Sequence, residues 1–222
     1  MSKNSSWLIR LKPNGAKMVL TPGSLNIKHV MKKVSLLLLL AISTLSFQAC
    51  SDKKKESDDS VEHAENANEV KEDAGTGQSE DTNEFAVKAA NGGMLEVELG
   101  RLAQEKGQSS DVKEFGAMMV KDHSQANEEL KTIAATQNIT LPTTLGEDEQ
   151  KHVNEMAKLS GAEFDKKYVS MMVDDHKEDI DLFKKAAEDD KANPAVKSFA
   201  AKTLPTLQKH MESINAIDKK ID

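Results

Sequence analysis

Apolar residues recur every three to four positions along most of the chain from residue 82 to residue 222. An α-helix has 3.6 residues per turn, so this spacing gathers them on one helical face. No segment of this region shows the two-residue alternation of a strand. The pattern therefore predicts an all-α domain. The predicted helices cover about residues 83–106, 110–137, 147–189, and 194 to near the end.

The lengths of these helices and their short connections favour an antiparallel four-helix bundle. In such a bundle each helix buries one apolar stripe against the others. The third helix is expected to bend around Ser160-Gly161. Asn193-Pro194 has the form of a cap followed by proline at the first helical position, and it opens the fourth. The predicted domain thus covers residues 82–222.

Each predicted stripe contains, near its middle, one polar side chain that can bind a metal. The four residues are Glu96, His123, His176 and His210. A carboxylate buried in a helical core costs several kcal/mol unless it is protonated, hydrogen-bonded or bound to a metal. Four such side chains, one from each helix, can satisfy one another or hold an ion. We therefore predict a shared polar site; independent structural roles for the histidines are the alternative.

The pattern Met-Met-Val-x-Asp-His occurs twice, at residues 118–123 and 171–176. The repeat suggests two related helical hairpins with a site between them. In each copy a methionine lies one turn before the histidine, and an aspartate directly before it could orient an imidazole on a neighbouring helix. The side chains predicted to support the site are Met119, Asp122, Met172 and Asp175.

Three imidazoles and a carboxylate suit Zn, Cu, Fe or Ni, and the ligand types do not choose among these metals. The methionines could favour Cu(I), although methionine at helical spacing is more often core packing. Without a metal, a network between Glu96 and the histidines would only specify the packing of the core. We assign no catalytic residue, because no general acid–base pair beyond these four side chains is found.

The start of the chain is typical of a targeting sequence. From Met31, two lysines precede an apolar run of about 14 residues, which is shorter than the roughly 20 needed to span a bilayer as a helix. We interpret residues 31–49 as a lipoprotein signal peptide and Cys50, the only cysteine, as the lipidated residue. Residues 1–30 precede a self-sufficient signal, so we interpret them as an upstream extension and expect translation to begin at Met31.

Residues 50–81 are rich in charged and small polar side chains, with eleven acids against four bases. Such a segment buries too little apolar surface to offset the entropy of ordering it, so we expect a disordered tether. A lipid on Cys50 would then anchor the domain to a membrane of the bacterial cell envelope, at the outer membrane or facing the periplasm. The net charge of −7 argues against binding to nucleic acid.

The folded region resembles a bacterial family, the domain of unknown function numbered 4142, from about Glu84 to Asp218. That family is described as exported or outer-membrane, and its members are placed among ferritin-like four-helix folds. The resemblance is carried by Phe85-Ala86, Gly93-Met94-Leu95-Glu96-Val97-Glu98-Leu99-Gly100, Met119-Val120-Lys121-Asp122-His123-Ser124, Phe164-Asp165-Lys166-Lys167-Tyr168, Asp175-His176 and Thr203-Leu204-Pro205-Thr206-Leu207-Gln208-Lys209-His210.

The ferritin-like fold does not bring di-iron chemistry with it here. Di-iron members use a Glu-x-x-His motif on two helices, together with a glutamate on each of the other two. The positions three before the histidines are Val120, Val173 and Leu207, so the motif does not occur at any of them. Iron storage and di-iron oxidation are therefore not supported.

Together these features predict a membrane-tethered envelope lipoprotein whose helical domain binds a transition-metal ion or a polar ligand at a Glu/His centre. The alternative is a non-catalytic envelope stress or interaction module in which the buried Glu/His network is structural. Enzyme activity is the weakest of the three interpretations.

Overall fold

A computed structural model describes residues 59–221 of the chain. Within this range the chain is all-helical and contains no strand, which confirms the predicted all-α class. None of its helices is apolar over a length sufficient to cross a bilayer. The predictions for residues 1–30, residues 31–49 and Cys50 lie outside the described residues. The helices are α1 (Ser60–Asp73), α2 (Glu80–Lys106), α3 (Ser110–Gln137), α4 (Glu147–Met156), α5 (Gly161–Glu188) and α6 (Pro194–Ile221).

Helix α1 lies inside the segment 50–81, so the expectation of disorder is wrong for this part, and the folded region begins before residue 82. The buried side chain of Asn68 donates from Nδ2 to the Thr140 carbonyl at 2.9 Å and accepts from the Thr140 amide at 2.7 Å. Lys71 Nζ donates to Thr140 Oγ1 at 2.7 Å. Hydrogen bonds to a residue 72 positions away in the chain hold α1 against the domain. The helix is therefore ordered despite its low hydrophobicity.

Helices α2 and α3 pack against each other along most of their length, and so do α5 and α6. The short connections 107–109 and 189–193 make each pair an antiparallel hairpin. In the first hairpin the two helices come unusually close at two facing glycines. A Cβ atom on Gly100 would lie 2.6 Å from the Gly116 carbonyl oxygen, and one on Gly116 would lie 2.7 Å from the Gly100 oxygen. The absence of side chains at these positions therefore sets the distance between the helices.

The buried apolar side chains form two clusters, which meet each long helix at different positions along its length. The first cluster includes Phe85, Leu130, Phe183, Phe199 and Leu207. The second cluster includes Leu99, Phe115, Phe164, Tyr168 and Ile214.

The order in which a helix meets the two clusters gives its direction. Helices α2 and α6 pass from the first cluster to the second, whereas α3 and α5 pass from the second to the first. The long helices that pack against each other, α2 with α3, α5 with α6, α2 with α5, and α3 with α6, are therefore antiparallel, as predicted. Helices α3 and α5, which are consecutive long helices of the chain, run in the same direction. The reason is the connection 138–160, which is not short and returns the chain to the second cluster through α4, packed on α2.

This topology also changes the meaning of the Met-Met-Val-x-Asp-His repeat. One copy lies on α3, the second helix of its hairpin, and the other lies on α5, the first helix of its hairpin. The copies therefore do not occupy equivalent positions in two repeated hairpins, and the expectation of a hairpin repeat is wrong. They share a direction instead.

The single bent helix predicted for residues 147–189 is two separate helices. Gly161 has φ +64°, a left-handed conformation that glycine adopts without steric cost, and the new helix starts there. The buried carboxylate of Asp165 accepts hydrogen bonds from the backbone amides of Gln108 at 3.0 Å and Ser109 at 2.7 Å. The first turn of α5 is thereby attached to the connection between α2 and α3.

We expect Gly100→Ala and Gly116→Ala to lower the free energy of unfolding by up to about 2 kcal/mol. Alanine favours a helix by roughly 1 kcal/mol over glycine, but forcing a methyl group into a close helix contact costs about 1–3 kcal/mol. Gly92→Ala is the matched control on α2, because its Cβ would meet nothing nearer than Asp179 Oδ1 at 3.7 Å. Urea unfolding that ranks all three variants alike would contradict this account of the helix contact.

Candidate metal centre

Each of the four long helices contributes one buried polar side chain near the point where it passes from one apolar cluster to the other. These are Glu96 on α2, His123 on α3, His176 on α5 and His210 on α6. Their exposed fractions are 2%, 6%, 0% and 1%. The apolar residues before and after each of them along its helix carry it into the core. The structure therefore brings together the four side chains singled out in the sequence.

The three histidines form the centre of this group. One ring nitrogen from each lies within 4.8 Å of the others, and the ring centroids are 5.3 to 5.9 Å apart. Each ring also has one buried nitrogen without a hydrogen-bond partner among residues 59–221: Nε2 of His123, Nε2 of His176 and Nδ1 of His210. A polar atom left unpaired in a core costs free energy, and a metal ion would supply the missing partner.

The opposite nitrogens of two of these rings are held in place. Nδ1 of His176 donates to the Met172 carbonyl oxygen at 2.9 Å, so the proton lies on Nδ1 and a lone pair on Nε2. Nε2 of His210 lies 3.1 Å from Oδ2 of Asp122 and donates to that carboxylate. A hydrogen bond behind the ring is usual for metal-binding histidines, because it fixes the tautomer and the ring orientation.

Glu96 lies beside two of the rings. Its Oε2 is 2.7 Å from Nδ1 of His123, and its Oε1 is 3.4 Å from Nδ1 of His176. The first contact is short but not aligned as a hydrogen bond, and both oxygens lack a bonded partner in the described range. The set of mutually close ligand atoms comprises the three histidines without Glu96. Burial raises the pKa of the Glu96 carboxyl to about 7; the charge of His176 lowers it and that of Asp175 raises it.

The histidines are neutral at neutral pH. Burial lowers the pKa of His123 to about 4. Burial also lowers the pKa of His176, against the opposing charge of Glu96, and that of His210, against its hydrogen bond to Asp122. Neutral imidazoles keep a lone pair on one ring nitrogen, which is the form that binds a metal.

The four residues predicted to support the site occupy different places around it. Met119 and Met172 are fully buried, and Met172 contacts a histidine through its backbone carbonyl. Asp122 pairs with the histidine of α6. Asp175 lines a cleft between α2 and α5, where its Oδ2 is buried without a partner in the described part of the chain. Burial raises the pKa of the Asp175 carboxyl to about 7, and nearby acids, Glu178 first, add to the increase.

Two further polar groups on α5 lie near the site and were not predicted as part of it. Asp179 lies one turn after His176, and burial raises the pKa of its carboxyl well above the usual range, with the negative charge of Glu96 adding to the effect. Tyr168 lies about two turns before His176, and its hydroxyl is buried without a partner within residues 59–221. Helical spacing from His176 was the available signal for both, since residues three, four or eight apart share a face.

A comparison with protein families matches residues 67–217 to the Domain of unknown function (DUF4142). The match begins inside α1, so the family domain includes part of the segment predicted as a tether. A search of curated proteins found no match. Among solved structures, the chain is similar to a DUF305 fragment from Deinococcus radiodurans, with a TM-score of 0.56 and 10% sequence identity. That likeness covers 65% of this chain and 99% of the fragment, and at this identity it concerns the fold alone.

We expect Glu96→Gln to stabilise the metal-free protein increasingly as pH rises. The folded-state pKa of Glu96 is about 7 against an ordinary 4.5, so its contribution to stability is full below pH 4.5 and is lost as pH rises through about 7. The contribution of His123 to stability changes with pH in the opposite direction, because its pKa falls from 6.5 to about 4 on folding. This contribution is full above pH 6.5 and is lost as pH falls through about 4.

Glu96→Gln removes the pH dependence of stability that comes from Glu96 and keeps the one that comes from His123. Its gain over the wild type should therefore grow by up to about 3 kcal/mol between pH 4.5 and pH 7, as measured by urea unfolding with a chelator present. Glu98→Gln, at a half-exposed position of the same helix, controls for the loss of one carboxylate. A gain that is constant across this pH range would show that Glu96 is not buried as a titrating acid.

Proposed function

Because the chain belongs to the DUF4142 family, whose description assigns no activity, we propose its function from the geometry of the site: it binds one transition-metal ion per chain through His123, His176 and His210. The observation that carries this proposal is that the two nitrogens of each histidine ring have different surroundings. One nitrogen faces a carbonyl or a carboxylate, while the other is buried and has no partner in the described residues.

We also propose that the four long helices form a four-helix bundle of the ferritin-like type. Bundles of this type have one long crossover connection, and residues 138–160 join α3 to α5 in that manner. The similarity to the DUF305 fragment supports the same assignment at the level of the fold. Di-iron chemistry is not part of this proposal, because Glu-x-x-His occurs at none of the three histidines.

The donor atoms favour Zn, Cu or Fe over Mg or Ca. Neutral imidazole suits the first-row transition metals, whereas Mg²⁺ and Ca²⁺ select oxygen ligands. Nitrogens bound to one tetrahedral Zn at 2.0–2.1 Å lie about 3.4 Å apart, so the three ring nitrogens, now within 4.8 Å of one another, would have to move closer through ring rotation to complete the coordination. In this arrangement Glu96 supports His123 from behind and supplies negative charge next to the ion.

We expect the full chain, purified without an affinity tag, to bind one equivalent of Zn²⁺ or Cu²⁺. His123→Ala and His176→Ala should each weaken this affinity by at least about 10- to 100-fold, since removal of a direct ligand costs no less than loss of a supporting hydrogen bond. Elemental analysis and calorimetric titration give the stoichiometry and the affinity. His152→Ala is the control, because His152 is exposed and lies on α4.

Unchanged metal binding in both core variants would refute the proposal. If the wild type binds no metal and the same variants lose thermal stability, the second candidate function holds instead. In that case the Glu/His network is structural, and the protein is a non-catalytic envelope stress or interaction module. The buried and unsatisfied oxygens of Glu96 are the observation that favours the metal.

We propose that a lipid on Cys50 tethers this domain to the bacterial cell envelope. The support is in the sequence: a basic start, an apolar run over residues 34–47 and a small residue, Ala49, directly before the cysteine. The charged residues between Cys50 and α1 would then hold the domain away from the lipid surface.

We expect Cys50→Ser to move the protein from the membrane fraction to the soluble fraction and to abolish labelling by a radioactive fatty acid. The change removes the thiol that would carry the acyl chain and leaves the described helices unaltered. Ser51→Ala is the matched control at the adjacent position. A Cys50→Ser protein that stays in the membrane fraction would exclude this anchor.

A further inference from the structure

A cleft of about 400 Å³ opens between α2 and α5, and its lining is strongly acidic. Lys88 is the one basic residue among its lining side chains, and its Nζ lies 2.5 Å from a carboxylate oxygen of Glu84. The acids that line the cleft are Glu96, Glu149, Asp175, Glu178 and Asp179.

These acids differ in depth. Glu178 is exposed, Glu149, Asp175 and Asp179 are half-buried, and Glu96 is 2% exposed. The lining therefore offers carboxylates from the solvent inwards to the core, with the most buried one at its inner limit.

Glu96 belongs to both the cleft and the metal centre. Its carboxylate lines the cleft, and its oxygens lie 2.7 Å from His123 and 3.4 Å from His176. Neither oxygen has a hydrogen-bond partner in the described range, and the buried Oδ2 of Asp175 has none either. Unpartnered carboxylate oxygens along a solvent-open cleft suit a cation that is passing inwards and losing its water.

A glycine in the cleft wall keeps the space free. Gly92 lines the cleft, and a Cβ at this position would lie 3.7 Å from Asp179 Oδ1, an ordinary contact distance. A side chain at residue 92 would therefore begin beside this carboxylate, without a clash that would disturb the helix.

We propose that this acidic cleft is the path by which a hydrated divalent metal ion reaches the three histidines, with Glu96 as the last carboxylate it contacts. The proposal rests on the metal-binding function proposed above and adds the route to it. Charge of one sign at the entrance of a cleft, here on Glu149 and Glu178, concentrates the opposite ion and can raise association rates by about 10- to 1000-fold. The neutral histidine centre cannot supply this attraction by itself.

The first test removes negative charge from the outer part of the cleft. In stopped-flow mixing of the full chain with Co²⁺, whose absorption reports nitrogen coordination, we expect Glu149→Gln/Glu178→Gln to lower the association rate about three- to tenfold at low ionic strength. The difference should shrink in high salt, because salt screens exposed charges. Binding stoichiometry should stay at that of the wild type, since no histidine is altered.

The control for this test is Glu155→Gln/Glu163→Gln. Both residues are exposed and line a separate groove, so the variant loses the same net charge away from the cleft. Its association rate should match that of the wild type.

The second test fills the cleft without changing its charge. We expect Gly92→Leu to slow both association and dissociation of Co²⁺ by about tenfold or more, with little change in affinity, because a plug affects both directions equally. Gly92→Ala, which adds only the Cβ, is the matched control and should stay close to the wild-type rates. Circular dichroism verifies that both variants fold.

The outcomes separate the route from the site. If the wild type binds Co²⁺ but the double glutamine variant and Gly92→Leu retain wild-type rates, the ion enters elsewhere and only the route is overturned. If the wild type binds neither Co²⁺ nor Zn²⁺, the metal centre is overturned and the route with it. The path is established if Co²⁺ binds more slowly to both cleft variants, while both control variants keep the wild-type rates.

Discussion

One carboxylate and three imidazoles buried between two apolar clusters form the constraint on which this structure depends. Each polar atom left unpaired in such a place costs about 1–3 kcal/mol, while a domain of this size is stable by only about 5–15 kcal/mol. The buried nitrogens and oxygens without partners in the described range are thus a large burden on the metal-free fold. A bound ion would satisfy several of them at once, so the metal binding proposed above would add to folding stability.

The topology explains how four helices deliver these groups to one level. Helices α2 and α6 run in one direction and α3 and α5 in the other, so a residue near the middle of each helix reaches the same boundary between the clusters. The glycine contact brings α2 close to α3, and Asp165 attaches the first turn of α5 to the connection between them. The site is built on rigid helices, which hold ligands more precisely than loops.

Local patterns in the sequence were sufficient for the helices that carry the site. The stripes of α2, α3 and α6 follow from residue spacing, and the polar residue within each stripe is visible in the same pattern. Helix α1 was missed because it is attached by packing on α2 and by long-range hydrogen bonds, such as the pair between Asn68 and Thr140, which no local pattern reveals. The shared direction of α3 and α5 depends on where the connection 138–160 leads, which is a property of the packing.

The polar details of the site were also only partly accessible from the sequence. Helical spacing identifies the histidines, but it does not show which ring nitrogen is free. That depends on contacts such as the Met172 carbonyl behind His176 and the Asp122 carboxylate behind His210. Asp179 has the right spacing from His176, but an acid on a half-buried face is ordinary for a soluble helix. Its significance appears only when α2 and α5 together form the cleft.

In the proposed metal site, Glu96 would balance the charge of a bound ion. Three neutral histidines and a divalent metal leave two positive charges in a core, which is unfavourable without nearby negative charge. Burial holds the Glu96 carboxyl largely protonated below pH 7 in the metal-free state. A cation within a few ångströms would reverse that preference, so Glu96 would release its proton and supply the counter-charge of a bound metal. A carboxylate 2.7 Å from His123 Nδ1 can also accept the proton of that ring once it turns into line, which strengthens the ring as a ligand.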